Sequence, residues 1–148
     1  MKVTLSVDST ESIEIGFSDL ALIANWLDDE PRYLAFFSVL AAHPASEVRC
    51  AVAGKSCLPV ELLGKLACDE SIEVVREVAS NETALSLFDQ HQFQAMIKRD
   101  VSVASDLANN LSMVSEVNLD SLILCLLKHH DPKVADAAVD FESNRWAD

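Results

Sequence analysis

The chain's most ligand-like residues are His129, His130 and Asp131. Imidazoles beside a carboxylate can bind zinc or iron. Three consecutive residues at the end of a helix, however, point in different directions, and a histidine there also suits the negative end of the helix dipole. A capping and turn role is therefore the expectation. His91 lies in Asp89-Gln90-His91-Gln92, among polar residues expected in mid-helix. An imidazole with acidic neighbours can act as a general base, but no serine or cysteine stands beside it in a nucleophile motif. Cys50, Cys57, Cys68 and Cys125 form no Cys-x-x-Cys pair, and zinc favours close ligand pairs. They read as reduced, small apolar residues. Asp28-Asp29-Glu30 and Asp69-Glu70 could attract Ca²⁺, but the calcium-loop pattern with its central glycine is missing. The 3 glycines, Gly16, Gly54 and Gly64, are too dispersed for a phosphate-binding loop. The expectation is a protein that is not an enzyme and that carries no metal or cofactor.

The elements that would position these residues are mostly helical. Half of the 148 residues are apolar, with only 3 Gly and 4 Pro, a balance that favours helices over a turn-rich β fold and fits one domain. Residues 1–17 differ. Val3, Leu5 and Val7 alternate with polar neighbours, as do Ile13, Ile15 and Phe17. A period of two marks half-buried strands, here a predicted β-hairpin that must pack on the helices behind it. Ser18 with Asp19 then predicts a helix start. That helix carries Leu20, Ile23, Ala24 and Leu27 on one face and ends in Asp28-Asp29-Glu30 before Pro31, so residues 18–30 form a capping helix.

From residue 31 the pattern repeats. Glu47-Val48, three residues, then Val52-Ala53 recurs as Glu73-Val74 with Val78-Ala79 and as Ser102-Val103 with Leu107-Ala108; Lys133-Val134 with Ala138-Val139 is a weaker copy. Successive valines lie 26, 29 and 31 residues apart. An i, i+4 apolar pair followed by a small residue gives a narrow stripe that a neighbouring helix can approach closely. Apolar helices are predicted before these frames, over 33–41, 60–67, 84–97 and 119–127. The connectors His43-Pro44-Ala45-Ser46, Asp69-Glu70-Ser71, Arg99-Asp100 and His130-Asp131-Pro132 are short and polar, which implies helical hairpins. Asp131 should cap and Pro132 should open its helix; Pro31 and Pro59 should do likewise. Helical repeats are thus expected over 31–141 and a tail over 142–148.

The run His43 to Ala53, followed by Leu62-Leu63 and Leu66-Ala67-Cys68-Asp69, resembles leucine-rich-repeat-variant (LRV) and HEAT-like repeats, with their Val-Arg pair, Val-Ala pair and Leu-Leu helix ending near aspartate. Glu73 to Asn81 resembles them again. The arginine after the valine is lost later, where Ala104 and Ala135 stand. The resemblance implies a mainly α fold, a short right-handed α-solenoid, and a scaffold role; it implies no reaction. In such a stack Arg49 and Arg76 can reach aspartates in an adjacent connector, with Asp69 and Asp100 as natural partners, forming an ion-pair ladder that fixes register.

The net charge is −13, from 24 acidic and 11 basic residues. That disfavours direct contact with nucleic-acid phosphates and with anionic membranes. No apolar run approaches the roughly 18 residues of a membrane span, and the first residues lack the apolar core of a signal peptide, so a cytoplasmic address is expected. Stacked helices present extended faces that usually bind. The expected function is a protein–protein interaction module or scaffold whose partner is another protein, one with basic residues. The contacts would be polar residues of the second helices: Glu61, Lys65, Gln90, Gln94 and Lys98. The competing reading is an acidic inhibitor or immunity-type protein that occupies the basic cleft of a nucleic-acid enzyme. Mimicry of that kind needs its acids grouped on one surface, whereas a scaffold scatters them.

Overall fold

The computed structural model describes residues 3–7 and 11–145. The alternating runs are separated in the sequence by Asp8-Ser9-Thr10-Glu11-Ser12, expected as a connector; its first three residues lie outside the described ones, as do the first two and last three of the chain, and Glu11 and Ser12 belong to the second strand. The described chain is mainly helical, with a small two-stranded antiparallel sheet at the N-terminus. β1 (Val3–Val7) pairs with β2 (Glu11–Ile15) in the register Val3 to Ile15, Leu5 to Ile13 and Val7 to Glu11. The alternating pattern thus forms the predicted hairpin, and Val3 and Ile15 lean on the helical core. Phe17, expected in the second strand, is instead the first residue of a helix.

That helix, α1 (Phe17–Trp26), has Gly16 at its N-cap and no side-chain cap bond. Ser18 therefore lies inside the helix and caps nothing. It also stops four residues before the expected end, because Leu27 turns to extended backbone and Lys55 takes over its C-terminal carbonyls. The remaining helices are α2 (Leu34–Leu40), α3 (Ser46–Ala53), α4 (Val60–Leu66), α5 (Ile72–Ala79), α6 (Glu82–Leu87), α7 (Gln90–Ile97), α8 (Val101–Asn109), α9 (Glu116–Leu127) and α10 (Pro132–Arg145). Pro31 opens a short 3-10 turn (Pro31–Tyr33), and Pro59 sits one position before its helix, at the N-cap of α4. Asp131 accepts the Lys133 N–H at 2.9 Å, with Pro132 first in α10, as its missing donor allows. The expected tail is helical as far as Arg145.

One expected helix, over 84–97, is two. Phe88 goes extended and fully buried, and Asp89 and Gln92 form a reciprocal capping box that starts α7. The Phe88 carbonyl, freed by the break, accepts from the Asn118 side chain at 2.9 Å. Side-chain satisfaction of orphaned helix-end groups makes the interruption affordable.

The four frames occupy α3, α5, α8 and α10. Each of these helices packs on the next, and α1 packs on α3, so α1, α3, α5, α8 and α10 form one row. Along the other side of the core α4 packs on α6, and α7 on α9. The frame residues explain the row. Val48, Val52 and Ala53, then Val74, Val78 and Ala79, are completely buried, as are Val103 and Leu107. In the weak fourth copy Val134 and Ala138 are buried but Val139 is half exposed. Phe37, Leu40, Leu63, Leu66, Phe93 and Leu126 join the same core from the second side.

Candidate interaction surfaces

Polar groups tie successive units together at intervals close to the frame spacing. Lys55, buried at the end of α3, donates to the Asn25 and Leu27 carbonyls at 3.2 and 2.7 Å. It thereby closes the C-terminus of α1, where a cation meets the negative end of the helix dipole. Its ammonium also lies 5.5 Å from the centre of the Phe37 ring. Asn81 does the same one unit later, donating to the Ala53 and Lys55 carbonyls at 2.9 and 3.1 Å while accepting the Ala84 N–H at 3.0 Å. Asn110 reaches back again, to the Ser80 hydroxyl. Asp29 accepts from the Ser56 and Cys57 amides at 2.5 and 2.7 Å. The sequence does not announce Lys55, Asn81 or Asn110, because a lysine or asparagine just beyond an apolar helix reads as ordinary solvated surface, and Asp29, weighed there as a cation ligand, is a hydrogen-bond acceptor instead.

Arg49 directly follows the frame valine Val48, whereas Arg76 follows Val75 and stands one position later in its frame, where the first copy has Cys50. Arg49 is buried and grips Asp69 with two nitrogens at 2.7 and 2.8 Å, while a third donates to the His43 and Pro44 carbonyls. This planar, two-pronged geometry is the strong form of the interaction. Burial works to raise the Asp69 carboxyl, but the hydrogen bonds from Arg49 and Ser71 outweigh it and hold it below its ordinary value. The expected Arg49 partner is therefore the observed one. Arg76 is about half exposed and pairs with Asp106 at 2.7 Å instead of Asp100. Asp100 is engaged at the start of α8, where it accepts from the Ser102 amide and hydroxyl. Arg99 donates to the Asp69 carbonyl.

The chemically suggestive residues have local employment. His129 accepts the Asp131 N–H through Nδ1 at 3.2 Å, and the His129 and His130 rings stack at 4.4 Å. His43 accepts the Ala45 N–H in the same way at 3.1 Å. His91 is exposed, at the second position of α7 rather than in mid-helix. All four cysteines are free, with Cys68 exposed and the others half-buried. Among the described residues no group of three His, Cys, Asp or Glu is placed to hold a metal, and no helix is long and apolar enough to cross a membrane.

Two surfaces remain. The second side carries the five residues expected to bind. Glu61 and Lys65 on α4 line a shallow depression that runs to Asp89 and Gln92 at the start of α7. Gln94 and Lys98 line the next one, with Lys128, His129 and His130 beyond α9. Gln90 joins Gln94, Asn118 and Ser121 in a small enclosed gap between α7 and α9. The structure thus distributes the five over successive grooves instead of converging them on one point. The outer surface of the first row is different in charge. A depression there is lined by Ala21, Asn25, Glu47, Cys50, Glu73 and Glu77. Burial first, then the charges of Glu77 and Glu73, pushes the Cys50 thiol up to about 11.

Comparison with known proteins finds no matching family, no matching curated protein and no matching solved structure.

Proposed function

We propose that the chain is a short right-handed α-solenoid of the HEAT or LRV kind and acts as a non-enzymatic module that binds another protein. The observation that carries this reading is the set of cross-unit hydrogen bonds. Lys55, Asn81, Thr83, Arg76 and Asn118 each reach a group 26 to 30 residues away. Bonds that repeat at the spacing of the valine frames are what stacked, nearest-neighbour units require. A rigid stack then offers the grooved second side, with Glu61, Lys65, Gln90, Gln94 and Lys98, as an extended recognition face. Lys65, Lys98 and Lys128 recur on α4, α7 and α9 at or near the C-terminal ends, so this face is mixed in charge although the chain is strongly acidic.

The test is capture of partners from the source cell by the wild type and by a Lys65→Glu, Gln94→Ala, Lys98→Glu variant, with mass spectrometry of what is retained. A partner held by the wild type and lost with the variant supports the face. Turnover in an assay panel, or no retained protein at all, counts against the module. The acidic-inhibitor reading draws on the grouping of Glu47, Glu73 and Glu77 on one surface. It requires that an oligonucleotide compete with the chain for the retained partner, and that reversing those three charges abolish the competition.

A further inference from the structure

The five helices of the first row bury equivalent pairs: Leu20 and Ala24, Val48 and Val52, Val74 and Val78, Val103 and Leu107, Val134 and Ala138. A residue two positions further on lies about 200° round the helix, on the side turned away from the core. On the later four helices those positions hold Cys50 and Gly54, Arg76 and Ser80, Ser105 and Asn109, Asp136 and Asp140. All are polar or small, as an outer surface demands. On α1 the same two positions hold Leu22, 53% exposed, and Trp26, 84% exposed. They are four residues apart and hence neighbours on one helical face. A large aromatic this exposed is rare without a partner, because tryptophan is the residue type that most often anchors an interface.

What surrounds this pair points to its occupant. Ala21 and Asn25, each one residue before Leu22 and Trp26, form the α1 wall of the outer depression that also holds Glu47, Glu73 and Glu77. None of these three carboxylates forms an ion pair among the described residues. Glu73 accepts the Ser71 hydroxyl at 2.7 Å, and the charge of Arg76, itself bound to Asp106, reaches Glu73 and Glu77 without pairing with either. The apolar pair therefore adjoins a surface with an excess of negative charge. A second copy of a chain of net charge −13 would bring like charge against like. An anionic lipid surface would be repelled in the same way.

We propose that the Leu22–Trp26 face of α1 and the neighbouring carboxylate-lined depression dock a cationic amphipathic helix of a partner protein. Its apolar stripe covers Leu22 and Trp26, and its lysines or arginines enter the depression toward Glu47, Glu73 and Glu77. This inference rests on the reading of the chain as a protein-binding module, but it assigns a surface on the opposite row from the five second-side residues. The two can therefore fail separately.

The chain has two tryptophans, so Trp146→Phe leaves Trp26 as the sole indole reporter. Three synthetic probes are titrated at low salt: an amphipathic helix of leucine and lysine, a scrambled peptide of the same composition, and a leucine–glutamate helix. The expected result is a saturable blue shift of Trp26 emission with one leucine–lysine helix per chain. Leu22→Ser and the pair Glu73→Lys, Glu77→Lys should each weaken binding by about tenfold or more. All three sites are exposed, and circular dichroism verifies that the variants fold. Lys65→Glu with Lys98→Glu, on the second side, should not weaken it. No shift, equal binding of the scrambled or glutamate peptide, or indifference to Leu22→Ser overturns the proposal. So does a dimer in sedimentation with Trp26 already blue-shifted before peptide is added, which identifies a second copy as the occupant. Weakening only by the second-side changes overturns this surface yet leaves the module reading standing; a wild type that retains no protein from the source cell fails that reading instead.

Discussion

At the scale of the residue, Arg49 and Arg76 show how one step along a helix changes what an ion pair is worth. Arg49 directly follows the frame valine Val48, Arg76 stands one position later in its frame, and both meet an aspartate at 2.7 Å. The Arg49–Asp69 pair has side chains only 8% and 10% exposed. Removing one partner strands the other charge, so Arg49→Ala should cost about 3–5 kcal/mol. The Arg76–Asp106 pair is solvated on the arginine side, and Arg76→Ala should cost about 0–1 kcal/mol. Urea unfolding of the two variants measures the contrast, and similar losses would show that burial does not set the difference. The same site has a pH signature. The folded Asp69 carboxyl titrates below the ordinary value, so its stabilising share is complete above the unfolded value of about 3.9 and is lost as pH falls through the lower folded value. Asp29 and Asp100 are shifted in the same direction. The urea midpoint should therefore drop between neutral pH and about pH 3, and Asp69→Asn should flatten part of that drop. A midpoint that rises on acidification would contradict the assignment. For the apolar core, Leu63 and Leu126 are both fully buried, and truncating either to alanine should cost about 2–5 kcal/mol. Losses below about 1 kcal/mol at both would place them on the surface.

At the scale of the element, apolar periodicity was legible and polar bookkeeping was not. The valine frames located α3, α5, α8 and α10 because a buried stripe imposes a spacing that composition cannot hide. The hairpin followed from strict alternation for the same reason. The break between α6 and α7 was missed although Asp89-x-x-Gln92 is a capping-box pattern, because the apolar residues on either side, Leu85, Phe88 and Phe93, keep a helical spacing across it. The start of α1 was placed at Ser18 because a serine before an aspartate resembles a cap; the chain turns at Gly16, whose carbonyl receives the Leu20 amide. Asn81 carried no signal because its partners are carbonyls 26 and 28 residues back, a relation that only the packing of α5 on α3 creates. Of the five second-side residues, Glu61, Lys65, Gln90 and Lys98 are exposed and Gln94 is half-buried, as polar residues flanking an apolar stripe tend to be, whereas nothing in the spacing of α1 marks the exposed face that carries Trp26. These differences can be weighed by experiment. Asp89→Ala should cost about 1 kcal/mol, the worth of one helix cap. Asn81→Leu orphans two carbonyls and the Ala84 amide inside the core, at about 1–3 kcal/mol for each group left unpaired, and should be clearly the worse of the two. Thermal melts that rank Asp89→Ala as equal or worse would mean that Asn81 is replaceable by water.

At the scale of the whole molecule, 13 uncompensated negative charges act both on the fold and on any encounter, and salt changes the two in opposite senses. The exposed ion pairs of Arg32, Arg76 and Arg145 would each weaken slightly as salt is added. The buried Arg49–Asp69 pair is screened much less. Against these stands the repulsion among carboxylates that outnumber the cations around them, such as Glu47, Glu73 and Glu77, summed over a chain with more than twice as many acids as bases. Self-repulsion of this kind destabilises the compact state. Its range shrinks from roughly 30 Å at about 0.01 M salt to roughly 10 Å at about 0.1 M, which is enough to decouple acids on neighbouring helices from those further along the stack. The urea midpoint of the free chain should accordingly rise across that interval. Over the same interval, association with a basic partner should slow, because long-range attraction steers encounter more than it holds the complex. The pair of measurements is diagnostic. A midpoint that falls with salt would show that the surface ion pairs outweigh the excess charge. An association rate indifferent to salt, with the midpoint rising as expected, would mean that the carboxylates face solvent in the complex and that the partner is held on the mixed-charge second side.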